Sequence, residues 1–145
     1  KELKQPGQYA AEEVVDIVGP KGTLKGVRVL GPLRSKTQVE LSFTDARALG
    51  VVVPVKESGK LDGTPGIKLV GPAGSVTIEE GAIAALRHVH LSPSQAEEAG
   101  VQDKQYVCLR VPGERGLRLT TCSFVQEKGT TKKCTWTRTK QMPLG

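Results

Sequence analysis

Aromatic residues, histidines and long apolar runs are all scarce in this chain of 145 residues. Phe, Trp and Tyr make up 3% of it, which leaves few rings to stack on nucleic-acid bases. No apolar run approaches the roughly 20 residues that a membrane-spanning helix needs. The net charge is +6, but residues 122–145 supply +4 of it, so a nucleic-acid surface would depend on that segment alone. We therefore expect neither a nucleic-acid partner nor a membrane partner.

Cysteine is also sparse. The chain has 3 cysteines, an odd number without CxxC spacing, which indicates reduced thiols in a cytoplasmic compartment and no disulfide framework. Cys108, in YVCLRV, is interpreted as a strand residue of the core. A catalytic thiol would need a nearby base and an electropositive setting, and its sequence neighbours indicate neither.

Glycine and proline, by contrast, are abundant. The 17 Gly and 9 Pro, together with short Val-rich runs, favour a β-rich barrel architecture over a helical bundle. The length permits one domain or two small ones that share an interface. Two Gly-Pro-x-Gly stretches, GPKG at 19–22 and GPAG at 71–74, predict tight turns between strands.

One segment occurs twice, as VELSFTDARALGV and as VHLSPSQAEEAGV, and the second copy starts 50 residues after the first. In each copy the alternating apolar residues predict a strand, and a serine, Ser42 or Ser92, stands where a helix N-cap belongs. The short helix that follows should end at Gly50 or Gly100, because glycine suits the left-handed C-cap. The repeated unit is therefore a strand, a short helix and a second strand.

The two copies differ at one conspicuous position, which holds Glu40 in the first and His90 in the second. Both side chains are common metal ligands. His88 lies two residues before His90, so in a strand both imidazoles point to one face. Two histidines on a surface strand are also common without a metal, but the equivalent carboxylate at Glu40 favours a site for zinc or a similar divalent ion.

Arg34 begins an alternating polar row, RSKTQVE, that ends at Glu40. Such a row is usually a solvated strand face, but here it leads to a candidate ligand. A guanidinium matches phosphate oxygens with a planar fork, so Arg34 is the predicted anion-binding residue. Arg28, in VRVLGP, could add a cation or be a plain exposed strand residue. Gln5 and Gln8 flank a Pro-Gly pair that could hold an oxyanion or form an ordinary turn.

The apolar alternation stops after Thr121. If the reading frame is moved back by one base, the codons for residues 134–145 permit a third copy of the repeat that begins with Met-His-Leu-Asp, with a histidine at the position of Glu40 and His90. We therefore hypothesise a frameshift near Thr121, and sequencing of the gene would decide it.

Several uncommon motifs occur in one order: QPGQYAAEE, VRVLGPLRSKTQVELS, DARALG, GTPGIKLVGP and RHVHLSPSQAEEAGV. Together they resemble the phosphate propanoyltransferase family, from Lys1 to about Leu119. The resemblance implies a mainly β fold of two β-barrels capped by short α-helices, and a centre with two zinc ions. It also implies reversible transfer of a propanoyl or acetyl group between coenzyme A and phosphate. The family's earlier His-x-His-Leu-Ser motif is absent here, and its Met-His-Leu-Asp motif occurs only out of frame.

The resemblance also implies roles for individual residues. Glu40, His88 and His90 would be metal ligands, and Arg34 would be the catalytic residue. The other implied roles are phosphate binding at Gln5, Gln8 and Arg34, and coenzyme A binding at Arg28 and Leu30. The implied substrates are acyl-CoA, phosphate and acyl phosphate. The implied location is the cytoplasm or a bacterial microcompartment lumen, with a homo-oligomer or microcompartment proteins as further partners.

The expected organisation has three parts. Residues 1–85 would form the first barrel with the anion motifs, 86–121 an incomplete second barrel with RHVH, and 122–145 the out-of-frame tail. The alternative function is non-catalytic: a β-barrel binding module, or an inactive remnant of the enzyme.

Overall fold

A computed structural model describes residues 8–126 and 133–135 of the chain. These residues form two compact units, one of residues 8–85 and the other of 86–126 and 133–135. Of the expected tail, residues 127–132 and 136–145 lie outside the described part.

The first unit contains seven strands and one helix among its described residues. Strands β1, β2, β5 and β6 form an antiparallel sheet in the order β2-β1-β5-β6, and β3 and β4 flank β7 in a parallel sheet. The elements are β1 (Tyr9–Val18), β2 (Thr23–Gly31), β3 (Val39–Glu40), α1 (Phe43–Leu49), β4 (Val55–Lys56), β5 (Ile67–Gly71), β6 (Gly74–Ile78) and β7 (Ala82–Ala85).

Both Gly-Pro-x-Gly stretches are turns of β-hairpins, as predicted. The first joins β1 to β2, and the Gly19 N–H donates to Gly22 O at 2.9 Å. The second joins β5 to β6, where Gly71 pairs with Gly74. These turns fix the register of the four-stranded sheet.

Helix α1 begins and ends as its sequence predicts. Ser42 is the N-cap and accepts a hydrogen bond from the Asp45 N–H at 2.9 Å. Gly50 ends the helix in the left-handed region at φ 78°, a conformation that favours glycine. The helix buries Ala46 and Leu49 in an apolar core whose other members are Ile17, Val39, Leu41, Val53, Ile67, Ala82 and Ala84.

Leu49→Ala should destabilise the first unit by about 2–5 kcal/mol, because Leu49 is fully buried and its removal leaves a cavity. Denaturant unfolding followed by circular dichroism measures the change. Val52→Ala is the matched control, since Val52 is 90% exposed and should change stability by less than about 0.5 kcal/mol. Equal effects of the two substitutions would contradict this account of the core.

The second unit carries the second copy of the repeat. Its described elements are β8 (His88–Leu91), α2 (Pro93–Glu98), β9 (Tyr106–Val111), β10 (Leu117–Gln126) and β11 (Lys133–Thr135), with sheet order β11-β8-β10-β9. Ser92 is the N-cap of α2, as the repeat predicts, and it forms a reciprocal capping box with Gln95.

The prediction of a mainly β protein with short helices is confirmed. The described residues form three open sheets, and no sheet among them closes on itself, so the two barrels stay a prediction. Within the same residues, no helix has the length and apolarity that crossing a bilayer requires.

Candidate functional site

A chain of hydrogen bonds in the first unit connects Arg34 to Glu40. Arg34 Nη1 donates to Ser58 Oγ at 3.0 Å, and Gln38 Nε2 donates to the same oxygen at 2.9 Å. Gln38 Nε2 also donates to Glu40 Oε1 at 2.7 Å. We call Arg34, Ser58, Gln38 and Glu40 the polar chain. It joins the predicted anion-binding residue to a predicted metal ligand through two residues for which the sequence predicted no role.

Backbone pairing fixes the Glu40 end of the segment that carries the polar chain. Val39 N donates to Gly81 O at 2.8 Å, and Leu41 N donates to Ile83 O at 2.8 Å, so Glu40 is held beside β7. Val39 and Leu41 are buried, and alternation therefore places the Glu40 side chain on the opposite face, where it is half-buried. On the neighbouring loop, Gly59 N donates to Gln38 Oε1 at 2.7 Å, which places Ser58 beside Gln38.

The alternating row RSKTQVE is not a continuous strand, so that interpretation is wrong for its first part. Only Val39–Glu40 is strand, and residues 32–38 form a loop. Lys36, which shares parity with Arg34, turns away to pair with Asp62 at 3.7 Å, while Arg34 reaches Ser58. The conformation of this loop, which the alternating pattern does not reveal, places Arg34 rather than Lys36 in the polar chain.

The residues predicted around coenzyme A lie on β2. Arg28 and Leu30 share one face of this strand and are exposed, Leu30 at 49%. Leu30 pairs with Ala10 of β1, and the half-buried Gln8 immediately precedes β1. Gln8 and the loop that carries Arg34 thus adjoin the same end of the β1–β2 pair. Gln5 lies outside the described residues.

At this end of the hairpin Tyr9 lies against Gly31. A Cβ atom added to Gly31 would be 2.1 Å from Tyr9 Cζ, so only glycine allows the ring to lie on the strand there. Tyr9 also pairs with Gly31 in the β1–β2 register, so the end of the hairpin next to Gln8 is in register with the end of β2.

The two histidines lie together on β8 of the second unit. Their ring centroids are 4.7 Å apart with an interplanar angle of 72°. Two imidazoles bound to one tetrahedral zinc through bonds of about 2.0–2.1 Å have centroids roughly 5 Å apart, so the observed spacing fits a shared ion. Strand β8 has β11 and β10 as its neighbours, and His90 is buried, with 5% exposure.

A backbone hydrogen bond orients His88. Its Nδ1 lies 2.7 Å from Leu86 O, and since a carbonyl oxygen can only accept, Nδ1 carries the proton. In the neutral ring the lone pair is then on Nε2, the form that a metal ion needs. A metal-binding histidine commonly donates its other ring N–H to a carbonyl in this way.

The chain resembles known proteins over most of its length. The sequence model described as phosphate propanoyltransferase matches residues 1–134. The chain belongs to the phosphate propanoyltransferase family. Several relatives bear the name Phosphate propanoyltransferase, and one of them, from Thermotoga maritima strain MSB8, is 58% identical over 118 residues (81% of the chain, 56% of the relative). One from Rhodopseudomonas palustris BisB18 is 53% identical over 116 residues (80% and 51%), and one from Salmonella typhimurium LT2 is 53% identical over 118 residues (81% and 56%).

The chain thus spans about half the length of these phosphate propanoyltransferases. Within residues 8–126 and 133–135, no group of three or more His, Cys, Asp or Glu side chains that could hold a metal ion occurs. Glu40 belongs to the first unit, and His88 and His90 belong to the second. The structure therefore brings together Arg34 with Glu40, and His88 with His90.

Sequence reasoning predicted no role for Ser58 or Gln38, the two residues that connect Arg34 to Glu40. Ser58 stands in KESGK, a pattern that indicates only a turn. Gln38 belonged to the alternating row, but nothing in the row showed that its amide would contact both Ser58 and Glu40.

The interpretation of Cys108 as a core residue is wrong, because the thiol is exposed. Val107 and Leu109 point to the apolar cluster under α2, so alternation along β9 turns Cys108 the other way. Arg118 Nε donates to Cys108 Sγ at 2.9 Å, and this hydrogen bond raises the pKa of the guanidinium. Strand β10 separates β9 from β8, so the thiol is not beside the histidines.

Proposed function

We propose that the chain is part of a zinc-dependent phosphate acyltransferase that reversibly moves a short acyl group, propanoyl or acetyl, between coenzyme A and phosphate. The observation that carries the proposal is the polar chain, which joins an exposed arginine to a carboxylate in a member of the phosphate propanoyltransferase family. The proposal includes the two capped barrels, the second incomplete here, and a cytoplasmic or microcompartment location.

Arg34 is the proposed phosphate-binding residue. Its guanidinium is exposed, and Ser58 holds one of its nitrogens. The remaining N–H groups can form charge-assisted hydrogen bonds to phosphate oxygens, the strongest type that a side chain offers to this anion. Gln8, at the adjoining end of the β1–β2 hairpin, is a proposed second phosphate contact, and Gln5 is a third from the sequence alone.

His88 and His90 are the proposed zinc ligands of the second unit, because their spacing and the Nδ1 proton of His88 fit that role. Glu40 is a proposed ligand on the grounds of the sequence repeat and of its hydrogen-bonded carboxylate. When bound, zinc would polarise a carbonyl oxygen or stabilise a thiolate.

Arg28 and Leu30 are the proposed coenzyme A residues. They share an exposed face of β2, where a guanidinium can contact the phosphates of the coenzyme and a leucine can pack on its apolar parts. This face continues to the end of the strand that adjoins Gln8 and the loop of Arg34, so both substrates would meet at one end of the hairpin.

The reaction we propose is direct transfer with both substrates bound. A phosphate oxygen held by Arg34 attacks the thioester carbonyl carbon, the new C–O bond forms, and the C–S bond breaks with its electron pair leaving on the coenzyme A thiolate. In reverse, the thiolate attacks the acyl phosphate. Ser58 Oγ already accepts hydrogen bonds from Arg34 and Gln38, so its lone pairs are occupied and it is a poor candidate for a covalent intermediate.

Incubation of the chain with acetyl phosphate, coenzyme A and zinc tests the proposal. We expect thioester to accumulate, detected by its ultraviolet absorbance, and zinc to stay with the chain after gel filtration. Removal of zinc with a chelator should abolish thioester formation. Zinc retention without thioester would indicate an inactive remnant of the enzyme. Neither zinc nor thioester would indicate a plain binding module and would overturn the proposal.

A further inference from the structure

The exposed face of the β9–β10 pair carries two arginines that lie directly opposite each other. Arg110 of β9 pairs with Arg118 of β10 in the antiparallel register, so their Cβ atoms are about 4.5–5.5 Å apart. Among the described residues, no carboxylate forms an ion pair with either arginine. Like charges directly opposite each other are destabilising, so this arrangement favours a negatively charged ligand that contacts both guanidinium groups.

A thiol lies on the same face, next to these charges. Cys108 is exposed, stands two residues before Arg110 on β9, and its Sγ accepts the hydrogen bond from Arg118 Nε at 2.9 Å. The other four N–H groups of the Arg118 guanidinium have no partner among the described residues. A charged donor beside a sulfur stabilises the thiolate, which is the nucleophilic form of cysteine. The two strands thus give Cys108 an electropositive setting.

The same sulfur borders a cavity that is open to solvent. This cavity has a volume of about 330 Å³ and is lined by Tyr106, Val107, Cys108 and Thr120. Tyr106 and Arg110 lie two residues before and after Cys108 on β9, so the cavity and the charges flank the sulfur from opposite sides. A small molecule with a short carbon chain and a negatively charged end therefore fits this face of the second unit.

We propose that Cys108 is a site of disulfide exchange with a small disulfide that carries negative charge, and that Arg110 and Arg118 bind its charged end. The thiol proton passes to solvent, and the Cys108 thiolate attacks one sulfur of the disulfide. A new S–S bond forms, and the other sulfur leaves as a thiolate with the electron pair. Cys108 is thereby oxidised to a mixed disulfide, and the departing half of the reagent is reduced.

The charge on the disulfide can come from either of two groups. Phosphate and carboxylate both match the planar fork of a guanidinium, so the arginine pair accepts either anion. The exchange requires neither zinc nor the transferase reaction, so this inference stands or falls separately from the proposed function.

Three disulfides test the inference on the 145-residue chain. Coenzyme A disulfide carries phosphates, oxidised glutathione carries carboxylates, and bis(2-hydroxyethyl) disulfide is neutral. Mass spectrometry of proteolytic peptides measures the rate of mixed-disulfide formation at each cysteine. With the charged reagents, Cys108 should react at least about tenfold faster than Cys122, which is 1% exposed and is the internal control.

Salt should slow the reaction of Cys108 with the charged reagents only. The Debye length falls from about 30 Å at about 0.01 M salt to about 3 Å at about 1 M, which screens the attraction of the arginines. The rate with the neutral disulfide should stay within about twofold over the same range, because no charge guides it.

Arg110→Gln removes one charge of the pair and keeps the hydrogen bond from Arg118 to Cys108. At low salt it should slow the charged reagents by about three- to tenfold, because less positive charge attracts them. The neutral reagent should change by less than about twofold, which also verifies that the thiol is still exposed in a folded unit. Arg118→Gln should slow the charged reagents at least as much. Arg115→Gln removes the same charge from the loop between β9 and β10 and is the matched control.

The variants also distinguish the two anions. Of coenzyme A disulfide and oxidised glutathione, the reagent that Arg110→Gln slows more carries the anion that the pair prefers. Equal effects of Arg110→Gln and Arg115→Gln on the charged reagents would show that net charge alone attracts them, and would overturn the anion site. A rate at Cys108 no faster than at Cys122 with all three reagents would overturn the reactive thiol.

Discussion

Replacement of both His88 and His90 by alanine should abolish zinc retention by the chain and, with it, thioester formation from acetyl phosphate and coenzyme A. The ring centroids of the two imidazoles are 4.7 Å apart. The hydrogen bond from His88 Nδ1 to Leu86 O places a proton on Nδ1, so Nε2 of the neutral ring can bind an ion. No other histidine occurs in the sequence, so no replacement nitrogen ligand of this type exists. Metal analysis after gel filtration and the thioester assay measure the two losses.

Unfolding must be separated from loss of the ligands, because His90 is buried and its truncation leaves a cavity. His90→Gln keeps more of the volume and a polar group, and it should still lower zinc affinity while circular dichroism stays unchanged. Arg87→Ala, on the exposed position before the pair, is the control that should retain zinc. Stoichiometric zinc in a folded double variant would contradict the proposed ligand pair.

Local structure was the part of the fold that the sequence predicted best. Ser42 and Ser92 cap their helices because each serine oxygen accepts a hydrogen bond from the backbone N–H three residues later. This interaction involves only one turn of the chain, so the local sequence is enough to predict it. The placement of His88 and His90 on one face is likewise confirmed, since alternation along a strand needs no knowledge of distant residues. Their role as ligands stays a prediction.

Contacts between distant segments were the part that the sequence could not supply. Gln38 and Ser58 are 20 residues apart in the sequence. Gln38 lies in the loop before β3 and Ser58 in the loop after β4, so their contact depends on the pairing of both strands with β7 and on the bend of each loop. Cys108 shows the same limit in another form. The alternation of YVCLRV predicts a strand, but it does not show which of the two faces is buried. The packing of Val107 and Leu109 against the apolar cluster under α2 determines the buried face.

Arg34→Ala should raise the KM for phosphate and for acetyl phosphate by roughly 10- to 150-fold. A hydrogen bond to a charged group contributes about 1.5–3 kcal/mol, and 1.4 kcal/mol corresponds to about tenfold in a binding constant. The side chain is exposed and Ser58 holds it at Nη1, so the loss should fall on the anion rather than on the fold. The KM for coenzyme A and the zinc content should stay within about twofold, because this arginine contacts neither in the proposed site. Steady-state kinetics with each substrate varied in turn measure these values.

Two variants decide whether the effect belongs to the planar guanidinium or to positive charge in general. Arg34→Lys keeps the charge but loses the fork, and we expect it to recover only part of the lost affinity. Lys36→Ala removes a cation from the same loop, but Lys36 is 63% exposed and paired with Asp62, so phosphate KM should change by less than about twofold. Equal effects of Lys36→Ala and Arg34→Ala would show that the loop acts only through its net charge. An unchanged phosphate KM in Arg34→Ala would remove the anion-binding role on which the proposed transfer depends.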